Sequence, residues 1–313
     1  MAPAFWLFKS AVGRYQSVVN FFLNRRAVLL LTVGALNWLA LASACFGHGA
    51  VHEQIAALSG EIEKNPRDPV LYLKRGELHR AHQDWDAAQA DFDTAGVLNP
   101  NLAPLDYLRG RLYHEAGWEV SAKVALDRFL ARNTNSVEAL ITRARTLVKL
   151  GQPLAAAEDY ARALTVMAEP APEVYIERSQ ALAAAGDAHL DDAVRCLDEG
   201  IRKLGPLVTL ELFAIDLEVK RKNFDAALRR VDTVSGRLPR KETWLAKRGE
   251  ILQQAGRTQE AQAAFQASLA AINTLPPARR NAPAMIELQR RLQESLAAPT
   301  NTAPAAAPKQ GVR

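Results

Sequence analysis

The chain has 313 residues, of which 49% are hydrophobic and 23% charged, a composition typical of a folded protein that is long enough to bury a core. Its formal net charge of +5 comes from its ends, because residues 1–44 and 299–313 contain six basic residues and no acidic residue. The residues in between contain the other 33 of the 39 basic residues and all 34 acidic residues, so their charges nearly balance. A folded body with balanced charge lacks the positive surface that binding to phosphate backbones requires, so we expect no nucleic-acid partner.

The first 46 residues are typical of an export signal. A basic leader, residues 1–26, precedes an uncharged apolar run over residues 27–46. The small residues 42–44, directly before Cys45, match the cleavage region of a secretory signal peptide, but twenty apolar residues also suffice for an uncleaved membrane anchor. Residues 42–45 also resemble a bacterial lipobox, which would make Cys45 a lipidation site. All three alternatives predict a bacterial protein in the periplasm, anchored in the envelope or outside the cell.

Apolar residues at helical spacing predict an N-terminal cap helix over residues 49–66. The chain from residue 67 to residue 274 then repeats itself. Three columns recur every 34 residues: Arg75, Arg109 and Arg143; Ala88, Ala122 and Ala156; Phe92, Leu126 and Tyr160. Within each unit two helical patterns flank a polar turn, which predicts a helical hairpin. A C-terminal cap helix is predicted over residues 277–298, and residues 299–313 have the Pro/Ala-rich composition of a disordered tail.

This unit resembles the tetratricopeptide repeat, whose pattern is W-x2-L-G-x2-Y, then A-x3-F-x2-A, then P. The matching residues of the first unit are Tyr72, Gly76, His79, Ala88, Phe92, Ala95 and Pro100, and those of the sixth are Gly249, Leu252, Gly256, Ala261 and Phe265. The resemblance implies about six hairpins in an all-α, right-handed α-solenoid with one concave groove. It also implies a non-enzymatic protein–protein interaction scaffold, with a protein or peptide segment bound in that groove.

Small residues at one place of the first helix predict close approach to the second helix. Gly76, Gly110, Ala144 and Gly249 share this place. A larger side chain there would force the two helices of the hairpin apart.

The arginines that precede these small residues admit two interpretations. They form either a basic ladder for an acidic peptide or a set of internal ion pairs, with Asp91 for Arg75 and Asp159 for Arg143, each 16 residues further on. We favour the ion pairs, because a residue beside the helix interface faces inward and needs a partner.

The resemblance also implies which side chains line the groove. They are Glu77, Arg80, Tyr107, Arg111, His114, Ile141, Arg145 and Lys149. The subgroup that clamps a carboxylate uses Lys and Asn where this chain has Leu73 and Glu77, so we do not expect that specialisation.

Metal binding and catalysis receive less support from the sequence. An alternative in which the protein handles metal ions is favoured by the pairs His48/His52 and His79/His82, together with His114. No cysteine or carboxylate set completes a site with them. The sequence has only two cysteines, Cys45 and Cys196. No nucleophile, phosphate-loop or paired-carboxylate motif is recognisable. We therefore expect no catalytic residue, metal or cofactor, and keep a regulatory subunit of an envelope enzyme as a further alternative.

Overall fold

The computed structural model describes residues 50–297, and every regular element in that range is a helix. The predicted all-α solenoid of helical hairpins is thereby confirmed. The predictions for residues 1–26, 27–46 and 299–313, including Cys45, lie outside the described residues. None of the helices within 50–297 is both long and apolar enough to cross a membrane.

The described chain forms two compact units, with the boundary between Gly117 and Trp118. The helices of the first unit are α1 (residues 50–64), α2 (Pro69–Ala81), α3 (Trp85–Leu98) and α4 (Leu105–Glu115). Those of the second unit are α5 (Glu119–Arg132), α6 (Val137–Lys149), α7 (Pro153–Val166), α8 (Pro172–Ala184), α9 (Leu190–Leu204), α10 (Val208–Lys220), α11 (Phe224–Arg237), α12 (Glu242–Gln254), α13 (Thr258–Asn273), α14 (Pro277–Arg280) and α15 (Pro283–Ala297), with a short 3-10 helix at Asp187–His189. Within the units, the first helix of a hairpin packs along the helix that follows it, as α2 does with α3 and α12 with α13.

Local sequence determines where these helices begin and which residues form the turns between them. The Asp68 carboxylate accepts a hydrogen bond from the Val70 amide at 2.9 Å and so caps α2. The turns inside the hairpins use a left-handed residue at the same place of the repeat, with φ of 79° at Gly117, 71° at Gly151 and 75° at Gly256. Glycine takes up this conformation without a steric penalty, which explains its return at these turns.

The close approach predicted for the small residues is confirmed at two glycines. A Cβ on Gly76 would lie 2.6 Å from Cε1 of Phe92, and one on Gly249 would lie 2.3 Å from Cε1 of Phe265. Real Cβ atoms do not come so near to another carbon, so only glycine fits under these rings. Phe92 and Phe265 are buried and fill the space in their respective hairpins.

Apolar side chains of neighbouring hairpins merge into continuous cores. One core of the second unit runs from Ala144 to Leu217, and the next runs from Ile215 to Leu292. Cys196 lies in the first of them as a buried apolar residue, and burial raises the pKa of its thiol to about 11 against the opposing effect of Arg178.

The C-terminal segment differs from its prediction as a single cap helix over residues 277–298. It forms the short α14 and then α15, with a break at residues 281 and 282. Proline explains the break, because Pro283 cannot continue a helix but is favourable in the first turn of a new one. Helix α15 packs against α13 and buries Met285, Leu288 and Leu292.

Candidate partner-binding face

The arginines of the repeat are engaged in the internal ion pairs that we favoured. Arg75 donates from Nε and Nη2 to the Asp91 carboxylate at 2.9 and 2.6 Å. Arg143 makes the same two bonds to Asp159 at 2.7 and 2.6 Å. Arg109 pairs with a different carboxylate, that of Asp93 at 2.6 Å, and Arg248 pairs with Asp232 at 3.1 Å. The bidentate geometry of Arg75 and Arg143 is the strong form of this interaction, so these two arginines join the two helices of their hairpins.

A third hydrogen bond from Arg75 and from Arg143 reaches the helix before the hairpin. Nη1 of Arg75 donates to the Ser59 hydroxyl at 2.9 Å, and Nη1 of Arg143 donates to the Asp127 carboxylate at 2.8 Å. Each guanidinium therefore joins three helices. The hydrogen bonds that Arg143 donates to Asp159 are the main reason that the pKa of Arg143 is raised, against desolvation by burial, so this arginine stays charged.

In the first unit, Glu77 organises the predicted groove residues of α2 and α4. Its carboxylate accepts from Nε of Arg80 at 2.9 Å and from Nη1 of Arg111 at 3.3 Å. Arg80 also donates to Glu115 at 2.5 Å, and the Arg111 guanidinium lies 5.6 Å from the centre of the Tyr107 ring. The structure thus brings these predicted residues together as one network. His114 is half-buried on α4.

An apolar cavity of about 640 Å³ lies beside this network and shares Glu77 with it. Its lining consists of Gln54, Ala57 and Leu58 of α1, Val70, Leu73, Lys74, Glu77 and Leu78 of α2, and Leu108 of α4. Most of this lining is aliphatic, as is common for sites that take up an apolar group.

In the second unit, the predicted groove residues lie on α6. Arg145 forms a bidentate pair with Glu177 of α8, at 2.9 and 2.7 Å, and Lys149 pairs with Glu119 of α5 at 2.9 Å. Ile141 is half-buried and packs against the core. The Arg145 side chain remains 50% exposed despite its ion pair, which leaves it accessible to a partner.

A pocket of about 360 Å³ lies next to the pair of Arg145 and Glu177. Its other lining residues are Val148, Tyr160, Gln180, Ala181 and Ala184. Burial is the main reason that the pKa of Tyr160 is raised, and its hydrogen bond to Glu177 raises it further. The phenol therefore stays protonated and donates to Glu177 at physiological pH.

Stability should depend on pH through Glu177. Desolvation is the largest influence on its pKa and raises it, but the hydrogen bonds from Arg145 and Tyr160 outweigh that effect and lower the pKa below the ordinary value. A carboxylate with a lowered pKa stabilises the fold above its ordinary pKa and loses this contribution as pH falls through the folded value. We expect Glu177→Gln to destabilise the protein at pH 7 and the difference from the wild type to shrink below about pH 4, near the ordinary glutamate pKa.

Urea unfolding of both proteins from pH 7 to pH 3 measures this difference. Glu294→Gln is the control, because Glu294 is exposed and Arg290 also pairs with Glu287. A constant difference across the range would contradict the assigned role of Glu177.

The histidines considered for metal binding separate into two contacts. The rings of His52 and His82 lie 4.7 Å apart between centroids, and Nδ1 of His79 lies 3.3 Å from the Asp84 carboxylate. Within residues 50–297, no three or more His, Cys, Asp or Glu side chains are grouped so that they could hold a metal ion. His48 lies outside the described residues.

Known structures resemble this arrangement of hairpins. The C-terminal part of a TPR repeat-containing protein from Cytophaga hutchinsonii superposes with a TM-score of 0.58 and 16% identity, over 74% of this chain and 95% of that one. The fold is that of a tetratricopeptide repeat protein. A chain in the structure of Naa15/Naa10 bound to HypK-THB matches with a TM-score of 0.51 and 14% identity, over 79% of this chain and 43% of that one. A scan against protein-family models and a search of curated proteins found no match.

Sequence reasoning missed several residues of this candidate face. It did not find Glu177, which lies 32 residues after Arg145 and so falls outside the 34-residue columns. It also did not find the cavity in the first unit. One signal was present: Leu58 precedes Phe92 by 34 residues, and Ser59 precedes Arg75 by 16. By these spacings, α1 corresponds to the second helix of a hairpin in the later repeats.

Proposed function

We propose that the protein is a non-enzymatic interaction scaffold that binds segments of a protein partner on the first helices of its hairpins. The observation that carries this proposal is the pocket of the second unit, where an accessible guanidinium, that of Arg145, borders Val148, Ala181 and Ala184. Arginine and aromatic side chains are frequent in interface hot spots. Such residues usually lie beside a pocket that takes up an apolar side chain of the partner. The first unit has its own cavity of larger size, whose lining includes Glu77, the partner of Arg111.

The ion pairs around both cavities support binding by a preformed surface. Glu77 and Glu177 hold the guanidinium groups of Arg111 and Arg145 in place. Side chains that are already ordered lose less entropy when a partner binds, which favours affinity. We infer that the partner segment has apolar side chains for the cavities and an oxygen acceptor, a carbonyl or a carboxylate, for Arg145.

The tetratricopeptide fold is compatible with this proposal. The matched structure of Naa15/Naa10 is itself a complex bound to HypK-THB. That likeness concerns the fold, so the argument for binding rests on the cavities and side chains of this chain.

Charge reversal in the pocket should abolish capture of the partner. We expect the full-length protein, tagged after Arg313 and purified from its native cells, to enrich a protein that Arg145→Glu no longer enriches. The new carboxylate would face Glu177 and repel it, and it would also repel the acceptor of the partner. Arg195→Glu on α9 is the matched control, because Arg195 is 77% exposed and lies on a second helix. Equal enrichment by the wild type and Arg145→Glu would contradict binding at this pocket.

We further propose that the scaffold acts in a bacterial cell envelope or outside the cell. The support is the sequence of residues 1–46, with its basic leader and its uncharged run before Cys45. The intact mass of the captured protein tests this proposal. A mass that starts at Cys45, with or without a lipid, or membrane association with the leader retained would support it, and a full-length soluble protein in the cytoplasm would contradict it.

A further inference from the structure

Helix α1 corresponds to the second helix of a hairpin, but no first helix precedes it within residues 50–297. Three of its residues line the apolar cavity of the first unit: Gln54 and Ala57 are exposed, and Leu58 is half-buried. In complete hairpins the same three places are at most 6% exposed. They are occupied by Ala88, Asp91 and Phe92 of α3, by Ala156, Asp159 and Tyr160 of α7, and by Ala261, Ala264 and Phe265 of α13. The side of the second helix that is buried in complete hairpins is therefore open on α1.

In a complete hairpin, these places are covered by the first helix. A Cβ on Gly76 of α2 would lie 3.3 Å from the carbonyl oxygen of Ala88 and 2.6 Å from Cε1 of Phe92. Gln54 and Leu58 lie 34 residues before these two residues of α3, so they occupy the same places on α1. The open side of α1 thus has the register that accepts the small residue of a first helix.

Helix α2 forms the other wall of the cavity, and α4 shows how it would face an added helix. Leu108 of α4 lines the cavity together with Glu77 of α2, and Arg111 of α4 donates to the Glu77 carboxylate at 3.3 Å. These two residues of α4 therefore face the first helix that precedes it. Lys74 and Glu77 have the same two places on α2 and also line the cavity. They face the position that a first helix before α2 would occupy.

Lys74 provides a positive charge at the edge of the cavity. It is exposed, and it has no ion-pair partner within residues 50–297. Its counterpart on α4, Leu108, shares the cavity with Glu77, the residue directly after Gly76. By the same register, an acidic residue directly after the small residue of an added helix would lie near Lys74. Opposite charges at such positions select a partner and fix its register.

We propose that the apolar cavity of the first unit binds an amphipathic helix of the partner protein, which takes the place of a first helix on α1. This helix has aliphatic side chains towards the cavity, glycine or alanine over Leu58, and Glu or Asp as the next residue, facing Lys74. Burial of one apolar helix face in an aliphatic groove is a common mode of recognition. The inference rests on the proposed function, because it specifies the partner segment for one of the two cavities.

A peptide with the sequence of α12, residues 242–254, tests this proposal. It contains Gly249 and Glu250 at the two required places. A cross-link on its outward face holds it helical, and fluorescence anisotropy of a label follows its binding to the full-length protein. We expect one peptide per chain. Ala57→Glu should weaken binding tenfold or more, because its carboxylate would enter the cavity and repel the acidic residue of the peptide.

Ala56→Glu is the matched control for this substitution. Ala56 and Ala57 are both exposed on α1, but only Ala57 lines the cavity. Both variants should melt like the wild type, and Ala56→Glu should also bind the peptide like the wild type. Equal affinity of the wild type and Ala57→Glu, or absence of peptide binding, would overturn the proposed site. A dimer of this chain that Ala57→Glu dissociates would also overturn it, because the occupant would then be a second copy.

Changes in the peptide test the register. Lys74→Glu in the protein should weaken binding of the α12 peptide, and Glu250→Lys in the peptide should restore affinity for this variant by exchanging the charges. Gly249→Leu in the peptide should weaken binding tenfold or more, because the larger side chain would collide with Leu58. Failure of the charge exchange to restore affinity would contradict the assigned contact of Lys74.

Arg145→Glu separates the failure of this inference from the failure of the proposed function. Arg145 lies in the second unit, so its substitution should not change the affinity for the peptide. If Ala57→Glu binds the peptide like the wild type while Arg145→Glu still loses the captured protein, the helix site is wrong and the scaffold remains supported. If Ala57→Glu loses the peptide while Arg145→Glu captures the partner normally, the helix site is supported and the pocket at Arg145 is wrong.

Discussion

Gly249→Ala should lower the free energy of unfolding, although alanine is the better helix former. Alanine gains about 1 kcal/mol over glycine in a helix interior. The added Cβ would lie 2.3 Å from Cε1 and 2.4 Å from Cδ1 of Phe265, whose side chain is buried. Overpacking of this kind costs about 1–3 kcal/mol, and the short distances put this site at the upper end. We expect a net loss of about 1–2 kcal/mol and a melting temperature lower by several degrees.

Gly236→Ala is the matched control for this prediction. Gly236 also lies in a helix of the second unit, α11, but a Cβ there would have nothing within 4 Å. This substitution should leave stability unchanged or raise it by up to about 1 kcal/mol. Opposite signs for the two Gly→Ala substitutions are the decisive result.

A second substitution tests whether the Phe265 ring is the cause. Phe265→Leu should be less harmful in the Gly249→Ala background than in the wild type, because the shorter side chain gives the new methyl group room. The difference between the two effects is the interaction energy of the pair. Equal stability of Gly249→Ala and Gly236→Ala would contradict the close approach of α12 and α13.

The 34-residue period explains why so much of the fold could be predicted. Each column of the repeat requires one local geometry, such as the glycine under an aromatic ring at Gly76 and Gly249. The pairing of Arg75 with Asp91 follows from the same period, because both residues belong to one hairpin. Contacts inside a hairpin depend on short sequence separations, which a sequence pattern reports directly.

Contacts between successive hairpins were harder to predict from the sequence. The bond from Arg143 to Asp127 and the pair of Arg145 and Glu177 both connect different hairpins. Their partners depend on the rotation of one hairpin on the next, which the columns do not specify. The apolar cavity of the first unit could not be predicted for the same reason, because its lining combines Leu58 of α1 with Leu108 of α4. The sequence therefore predicts candidate residues for the face, whereas its cavities and ion pairs came from the structure.

The ion pair of Arg143 and Asp159 should be worth far more than a surface pair, and its loss should be strongly non-additive. The Asp159 side chain is 5% exposed and that of Arg143 is 18% exposed. Asp159→Ala should cost about 3 kcal/mol, because it removes the bidentate partner of a half-buried guanidinium and leaves it the single bond to Asp127 among the described contacts. Arg143→Met should cost a similar amount, because it leaves the buried Asp159 carboxylate with the weaker contact to Arg162, 3.8 Å away.

The double variant decides between an ion pair and two independent charges. Once both charges are gone, neither partner is left buried and unpaired, so the double variant should be less destabilised than the sum of the singles by about 1–3 kcal/mol. Urea unfolding of the wild type and the three variants measures this difference. The exposed pair of Arg195 and Asp192 is the control, with side chains 77% and 43% exposed, and its coupling should not exceed about 0.5 kcal/mol. Strict additivity at Arg143 and Asp159 would mean that Arg143 does not depend on this carboxylate and would return the arginines to the alternative of a basic ladder for an acidic peptide.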